Sequence, residues 1–265
     1  MLLSISHTST YRYDAPVAYA VQRLRLWPTS STVQTVHDWR LDVAGAQSEL
    51  SYNDAFGNRT ELLRSTPQTA EIIIHAVGQV ETRDTAGVSG PGSGVPPLWT
   101  YHRQTGLTEP GEAIRQLAAP LSGIANRLDL LHRLSGDITA RVAYIPDTTD
   151  VATPAEAALA SGSGVCQDHA HIFLSAARLL GVPARYVSGY LLIEGRTEQT
   201  ATHAWAEAYV DDLGWVGFDI ANGVAPDEKY VRIACGLDYG QAAPITGLRS
   251  GSSTESLAVA LNVEQ

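Results

Sequence analysis

A chain of 265 residues, 44% of them hydrophobic and 17% charged, is long enough for one large or two modest domains with a sizeable core. Its 28 acidic and 18 basic residues give a net charge of −10, which argues against non-specific binding to nucleic acid or anionic membranes. No stretch approaches the roughly 20 apolar residues of a membrane helix. Two cysteines, Cys166 and Cys235, make no disulfide framework, and both are expected as free thiols.

The first residues, Met1 to His7, lack the basic start, apolar run and small-residue site of a secretory signal, so a cytoplasmic location is the default expectation. Residues 1–84 read as a β-rich domain. Leu2 to Tyr13, Val21 to Trp27, Thr35 to Val43, Arg59 to Leu63 and Glu71 to Val80 carry strand patterning, and Asn53 to Asn58 carries turn chemistry. Successive strands without a helix between them predict an antiparallel sandwich or sheet. His7, His37 and His75 are read as ordinary strand residues. Residues 85–97, rich in Gly, Pro and Ser, are the natural linker.

A mixed core is predicted over residues 98–240. Thr108-Glu-Pro110 opens one helix that continues through Ala113 to Leu117. Leu128, Leu131, Leu134 and Ile138 mark a second, across Ala125 to Val142, with Ser135-Gly136 as a point of interruption. Thr153-Pro-Ala-Glu156 reads as a capping box opening a short helix that ends near Ser161. The glycine-rich Ser161 to Val165 then feeds an amphipathic helix whose first turn holds Cys166 and whose apolar stripe includes Phe173, Ala177 and Leu180. Gly181-Val-Pro183 stops it. Unpartnered first-turn amides stabilise a thiolate, and the same N–H groups can stabilise an oxyanion. Gly164 leaves room for substrate backbone, and Gln167 is a candidate oxyanion partner.

Arg185 to Ile193 is a buried strand. Thr202 to Val210 alternates strictly, placing His203, Trp205, Glu207 and Tyr209 on one face. Asp211 to Gly214 is a turn, and Trp215 to Ile220 is the returning strand. If Tyr209 opposes Trp215, His203 falls diagonal to Asp219, within side-chain reach; a slip of one residue would separate them. Cys166, His203 and Asp219 are then nucleophile, general base and orienting acid. Trp205 is read as a cleft wall, an oxyanion partner or core packing, and Glu207 as structural. Asp168 favours the helix dipole or bonds a neighbouring loop. Cys166, Asp168, His169 and His171 do not close a tetrahedral metal site on one helix, so neither metal nor cofactor is expected. Residues 241–265 form a C-terminal extension in which Ser256 to Val263 reads as a strand returning to the N-terminal sheet.

Four ordered motifs, Gly164 to His171, Gly181 to Tyr190, Thr202 to Glu207 and Gly214 to Asp219, resemble the transglutaminase-like superfamily, in its microbial branch with a β-rich N-terminal region. The resemblance implies an α+β protein: a papain/transglutaminase-like core, with the nucleophile helix packed on an antiparallel sheet, behind an antiparallel β-sandwich-like domain. It implies Cys166, His203 and Asp219 as the triad. The implied chemistry is acyl transfer on the amide bonds of a peptide or protein through a thioester. Peptidase or amidase activity leads; glutamine amide transfer and a non-catalytic scaffold are the alternatives. His169 stands where the family often has an aromatic residue, and Ile220-Ala221 where it commonly has Pro-Thr.

Overall fold

The computed structural model describes residues 1–92, 96–251 and 254–265. Two antiparallel sheets form the N-terminal part. One has five strands in the order Glu198–Gln199, Glu255–Glu264, Leu2–Tyr13, Glu71–Thr82 and Gln34–Ala44. The other runs Ile245–Ser250, Tyr19–Leu24, Arg59–Ser65, Ala46–Asn53. Strict alternation along Leu2–Tyr13 and Glu71–Thr82 buries every second side chain, so Leu3, Ile5, Ile72, Ile74 and Val80 join Leu24 and Leu63 in one apolar cluster between the sheets.

The C-terminal strand closes this sandwich. Glu255–Glu264 pairs antiparallel with Leu2–Tyr13, and Ile245–Ser250 pairs with Tyr19–Leu24. Burial of Leu261 and Val263 in the sandwich core explains why the chain end returns. The strand Ala46–Asn53 carries no apolar alternation and is almost wholly exposed, so its sequence gives no strand signal; its pairing with Arg59–Ser65 supplies its order.

The core is a second five-stranded sheet, ordered Tyr230–Gly236, Ala184–Leu191, His203–Val210, Gly214–Phe218, Val88–Gly90. Val88–Gly90 comes from the stretch expected to be linker; it is an edge strand on Gly214–Phe218 instead. Ser93 to Val95 of that stretch lie outside the described residues. The helix Cys166–Leu179 lies against one face, where Ala204, Ala206 and Ala208 meet Ile172, Phe173 and Ala176. Alanines at alternate positions let the helix approach closely. The opposite face is shared with the sandwich through Tyr190, Val231 and Ile233.

Three helical expectations change in detail. The helix expected from Thr108 begins at Glu112, and the carboxylate of Glu156 from a neighbouring helix accepts from the backbone N–H groups of Gly111, Ala113 and Ile114. Glu156 is therefore not the far end of a capping box with Thr153, whose hydroxyl bonds Asp150 instead. Ser135-Gly136 does not interrupt Arg127–Thr139, because both lie inside a continuous helix capped by Asn126. No helix among the described residues is long and apolar enough to cross a membrane.

Candidate active site

The short strand Ser163–Gly164 pairs in parallel with Ala143–Tyr144 and pins the loop that leads to Cys166. Asp168, buried in the first turn, bends back to cap it: Oδ2 accepts from the Val165 N–H at 2.8 Å and from the Thr149 hydroxyl at 2.6 Å. A Cβ on Gly164 would stand 2.7 Å from the Asp168 side chain, so only glycine permits this return. The carboxylate thus serves both expected roles, helix dipole and loop anchor. Cys166 is half-buried, at the edge of the helix cluster, and has no disulfide partner; neither has Cys235.

The strand register brings His203 and Asp219 together. Tyr209 opposes Trp215 and Ala206 opposes Phe218; Asp219 then leaves the ladder and exchanges backbone hydrogen bonds with Val224. This is the register in which His203 and Asp219 meet: His203 Nε2 donates to Asp219 Oδ2 at 2.7 Å. Cys166, at the start of the helix, is the second group whose charge bears on this imidazole. Burial disfavours charge on His203, but hydrogen bonds and negative charge from Asp219 and Cys166 outweigh it, pushing its pKa up to about 10. Asp219 is fully buried. Burial alone would raise it; donation from His203, Asn222 and Tyr230 holds it below the ordinary carboxylate range.

Asn222 and Tyr230 are the residues that sequence reasoning missed. The Asn222 side-chain amide and the Tyr230 hydroxyl each reach Asp219 Oδ2 at 2.7 Å, and the Asn222 backbone N–H reaches Oδ1 at 3.2 Å. The Asp-x-x-Asn spacing of a turn was a readable signal for the first; nothing local marks the second.

The remaining candidates lie as follows. Gln167 is buried with its amide donating to the Val151 carbonyl at 3.3 Å, so that amide is already engaged. Trp205 is buried in a cluster with Val187, Tyr230 and Cys235. Its ring meets Tyr230 edge-on at 5.5 Å and lies near His203 at 6.4 Å, so it braces the acid's partner and the base from behind. Glu207 ion-pairs Arg185 at 2.6 Å in the core sheet. His169 turns its ring nitrogens to the Val142 and Val165 carbonyls, while His171 accepts from the Tyr239 N–H. With Asp168 committed to its cap, these side chains point to separate partners. Among the described residues no three of His, Cys, Asp and Glu are grouped as metal ligands.

Residues 115–220 match the model of the transglutaminase-like superfamily core, and residues 3–81 match that of the bacterial transglutaminase-like N-terminal region. A "putative cysteine protease" from Cytophaga hutchinsonii, known by crystal structure, superposes with a TM-score of 0.76 at 21% identity, over 100% of this chain and 98% of that one. An uncharacterized protein of Mycobacterium leprae is 28% identical over 98% of each chain. An uncharacterized protein of Mycobacterium tuberculosis is 27% identical over 96% of this chain and 89% of that one. The matched span 115–220 includes Cys166, His203 and Asp219.

Proposed function

We propose that this chain, a transglutaminase-like core behind a bacterial transglutaminase-like N-terminal region, is a cysteine-dependent acyl-transfer enzyme that opens amide bonds of a peptide or protein. The observation that carries this reading is the convergence of Cys166, His203 and Asp219 from a helix start and two strands. The Cys166 sulfur attacks the carbonyl, forming the C–S bond. Charge builds on the carbonyl oxygen, which the first-turn amides of Cys166–Leu179 are placed to stabilise. The His203 imidazolium gives its proton to the departing nitrogen as the C–N bond breaks. Water, deprotonated by His203, then releases the acid and regenerates the thiol. An amine in place of water would make the same thioester a transfer reaction, so hydrolysis and amide transfer share this machinery.

Asp219 keeps the imidazole oriented and charged, with Asn222, Tyr230 and Trp205 as positioning residues. A reducing, cytoplasmic setting belongs to the proposal, since the nucleophile and Cys235 are both free thiols. The test is second-order alkylation of Cys166 by iodoacetamide in a Cys235→Ser background, across pH, with and without His203→Ala. A rapid reaction at and below neutral pH that collapses in the His203 variant supports the reading. A rate indifferent to His203 refutes it and favours a scaffold; peptide-amide cleavage surviving Cys166→Ala refutes it by removing the thiol from the chemistry.

A further inference from the structure

Beside the triad runs an apolar surface that folding does not consume. Tyr144 is 54% exposed although it sits in the strand pair that pins the nucleophile loop, opposite Gly164. Its ring stacks on the His169 ring at 6.3 Å, and its hydroxyl lies within electrostatic range of both Cys166 and Asp219. Val151, 60% exposed, is tied by its carbonyl to Gln167, the neighbour of Cys166. Val224, 51% exposed, is bonded backbone to backbone with Asp219. It also lines an open groove of about 490 Å³ with Phe218, Gly136, Thr139 and Ala140.

Large apolar side chains scattered singly on a surface need no explanation. Here three of them are each tied, by a hydrogen bond or strand pairing, to the nucleophile loop, the residue after the nucleophile, or the triad acid. Each therefore stands a bond or two from a group of the triad or from its neighbour. We propose that Tyr144 and Val224, with Val151, form a subsite for an aromatic or large aliphatic side chain next to the reacting carbonyl, so that the substrate is an amide flanked by an apolar residue. The binding term is apolar burial against a ring and two branched side chains, and a charged group there would lose hydration without gaining a partner. The word substrate rests on the acyl-transfer reading; the subsite itself does not.

The test compares three haloacetamides on the Cys235→Ser protein: iodoacetamide, its N-benzyl derivative and its N-carboxyethyl derivative. Each rate constant is divided by that of the same reagent with free glutathione, which removes intrinsic reactivity. The expected result is a benzyl-to-parent ratio of about tenfold or more, with the carboxyethyl ratio at or below one. Tyr144→Ser and Val224→Ser should each bring the benzyl ratio toward one. Leu248→Ser, an 83% exposed position on the far sheet, should leave it intact. A wild-type benzyl ratio near one, or a high ratio undiminished in both subsite variants, overturns the proposal. A high ratio combined with a His203-independent parent rate would sink the enzyme reading and keep the subsite, so the two failures are distinguishable.

Discussion

Asp219→Asn isolates charge from geometry in the triad. The carboxylate Oδ2 receives three donors, from His203, Tyr230 and the Asn222 side chain, each at 2.7 Å. An asparagine must therefore turn its oxygen that way, leaving its NH₂ against the Asn222 backbone N–H that Oδ1 accepted at 3.2 Å. The shape survives with one poor contact, and the negative charge is gone. Burial then opposes the His203 charge with only Cys166 to favour it, so the proton affinity falls from about 10 toward the ordinary 6.5. A hydrogen bond to a charged partner is worth roughly 1.5–3 kcal/mol, or one to two decades of proton affinity. The thiolate–imidazolium form should thus decline about 10- to 100-fold relative to thiol–imidazole. The assay is iodoacetamide alkylation of Cys166 with Cys235 replaced by serine, run at about pH 6, where bulk thiols of ordinary pKa are almost fully protonated. A folded Asp219→Asn protein that alkylates within about twofold of its parent would refute the claim that Asp219 holds the charge on His203.

Other contacts in the protein carry consequences of their own. Glu207→Gln leaves the buried Arg185 guanidinium without its carboxylate, 2.6 Å away, and Arg232 without a second at 3.7 Å; urea denaturation should show a loss of about 3–5 kcal/mol. Gly164→Ala drives a Cβ into Asp168 and detaches the cap on Val165 and Thr149, costing about 1–3 kcal/mol by the same measurement and slowing Cys166 alkylation as the loop shifts. Stability should peak near neutral-to-weakly-acid pH. His7 and His171 are buried and lowered to about 4 and about 3, so the unfolded chain binds extra protons below 6.5 and stability is lost as pH falls. His203 has the opposite sign: raised to about 10, its contribution is complete below 6.5 and is lost as pH rises toward 10. Melting temperatures across pH should trace this dome, and His203→Ala should flatten its alkaline limb; an unflattened limb would refute the assignment.

The parts legible in the sequence were those carried by local periodicity and turn chemistry. Alternation along Leu2–Tyr13, Glu71–Thr82 and His203–Val210, and the helical stripe of Cys166–Leu179, stand out because each element presents one face to a single apolar neighbour. The meeting of His203 and Asp219 was legible for the same reason. A hairpin whose register is set by its apolar face also sets which polar side chains meet, so Tyr209 opposite Trp215 implied His203 near Asp219.

Partners that depend on elements distant along the chain were not legible. Glu156 satisfies the local grammar of a capping box, yet a neighbouring helix supplies three amides and takes the carboxylate. Tyr230 looks like any strand tyrosine until the core sheet sets its hydroxyl on Asp219. Val88–Gly90 reads as linker because three residues at a sheet edge need no apolar pattern to pair. By itself the sequence determined the periodic elements and the register of the His203–Phe218 hairpin, and with it the meeting of His203 and Asp219, since these follow from interactions a few residues long. Only the tertiary structure decided what holds Asp219, which glycine admits the cap, and which apolar side chains remain exposed. Those depend on space and hydrogen-bond capacity shared between segments far apart in the chain.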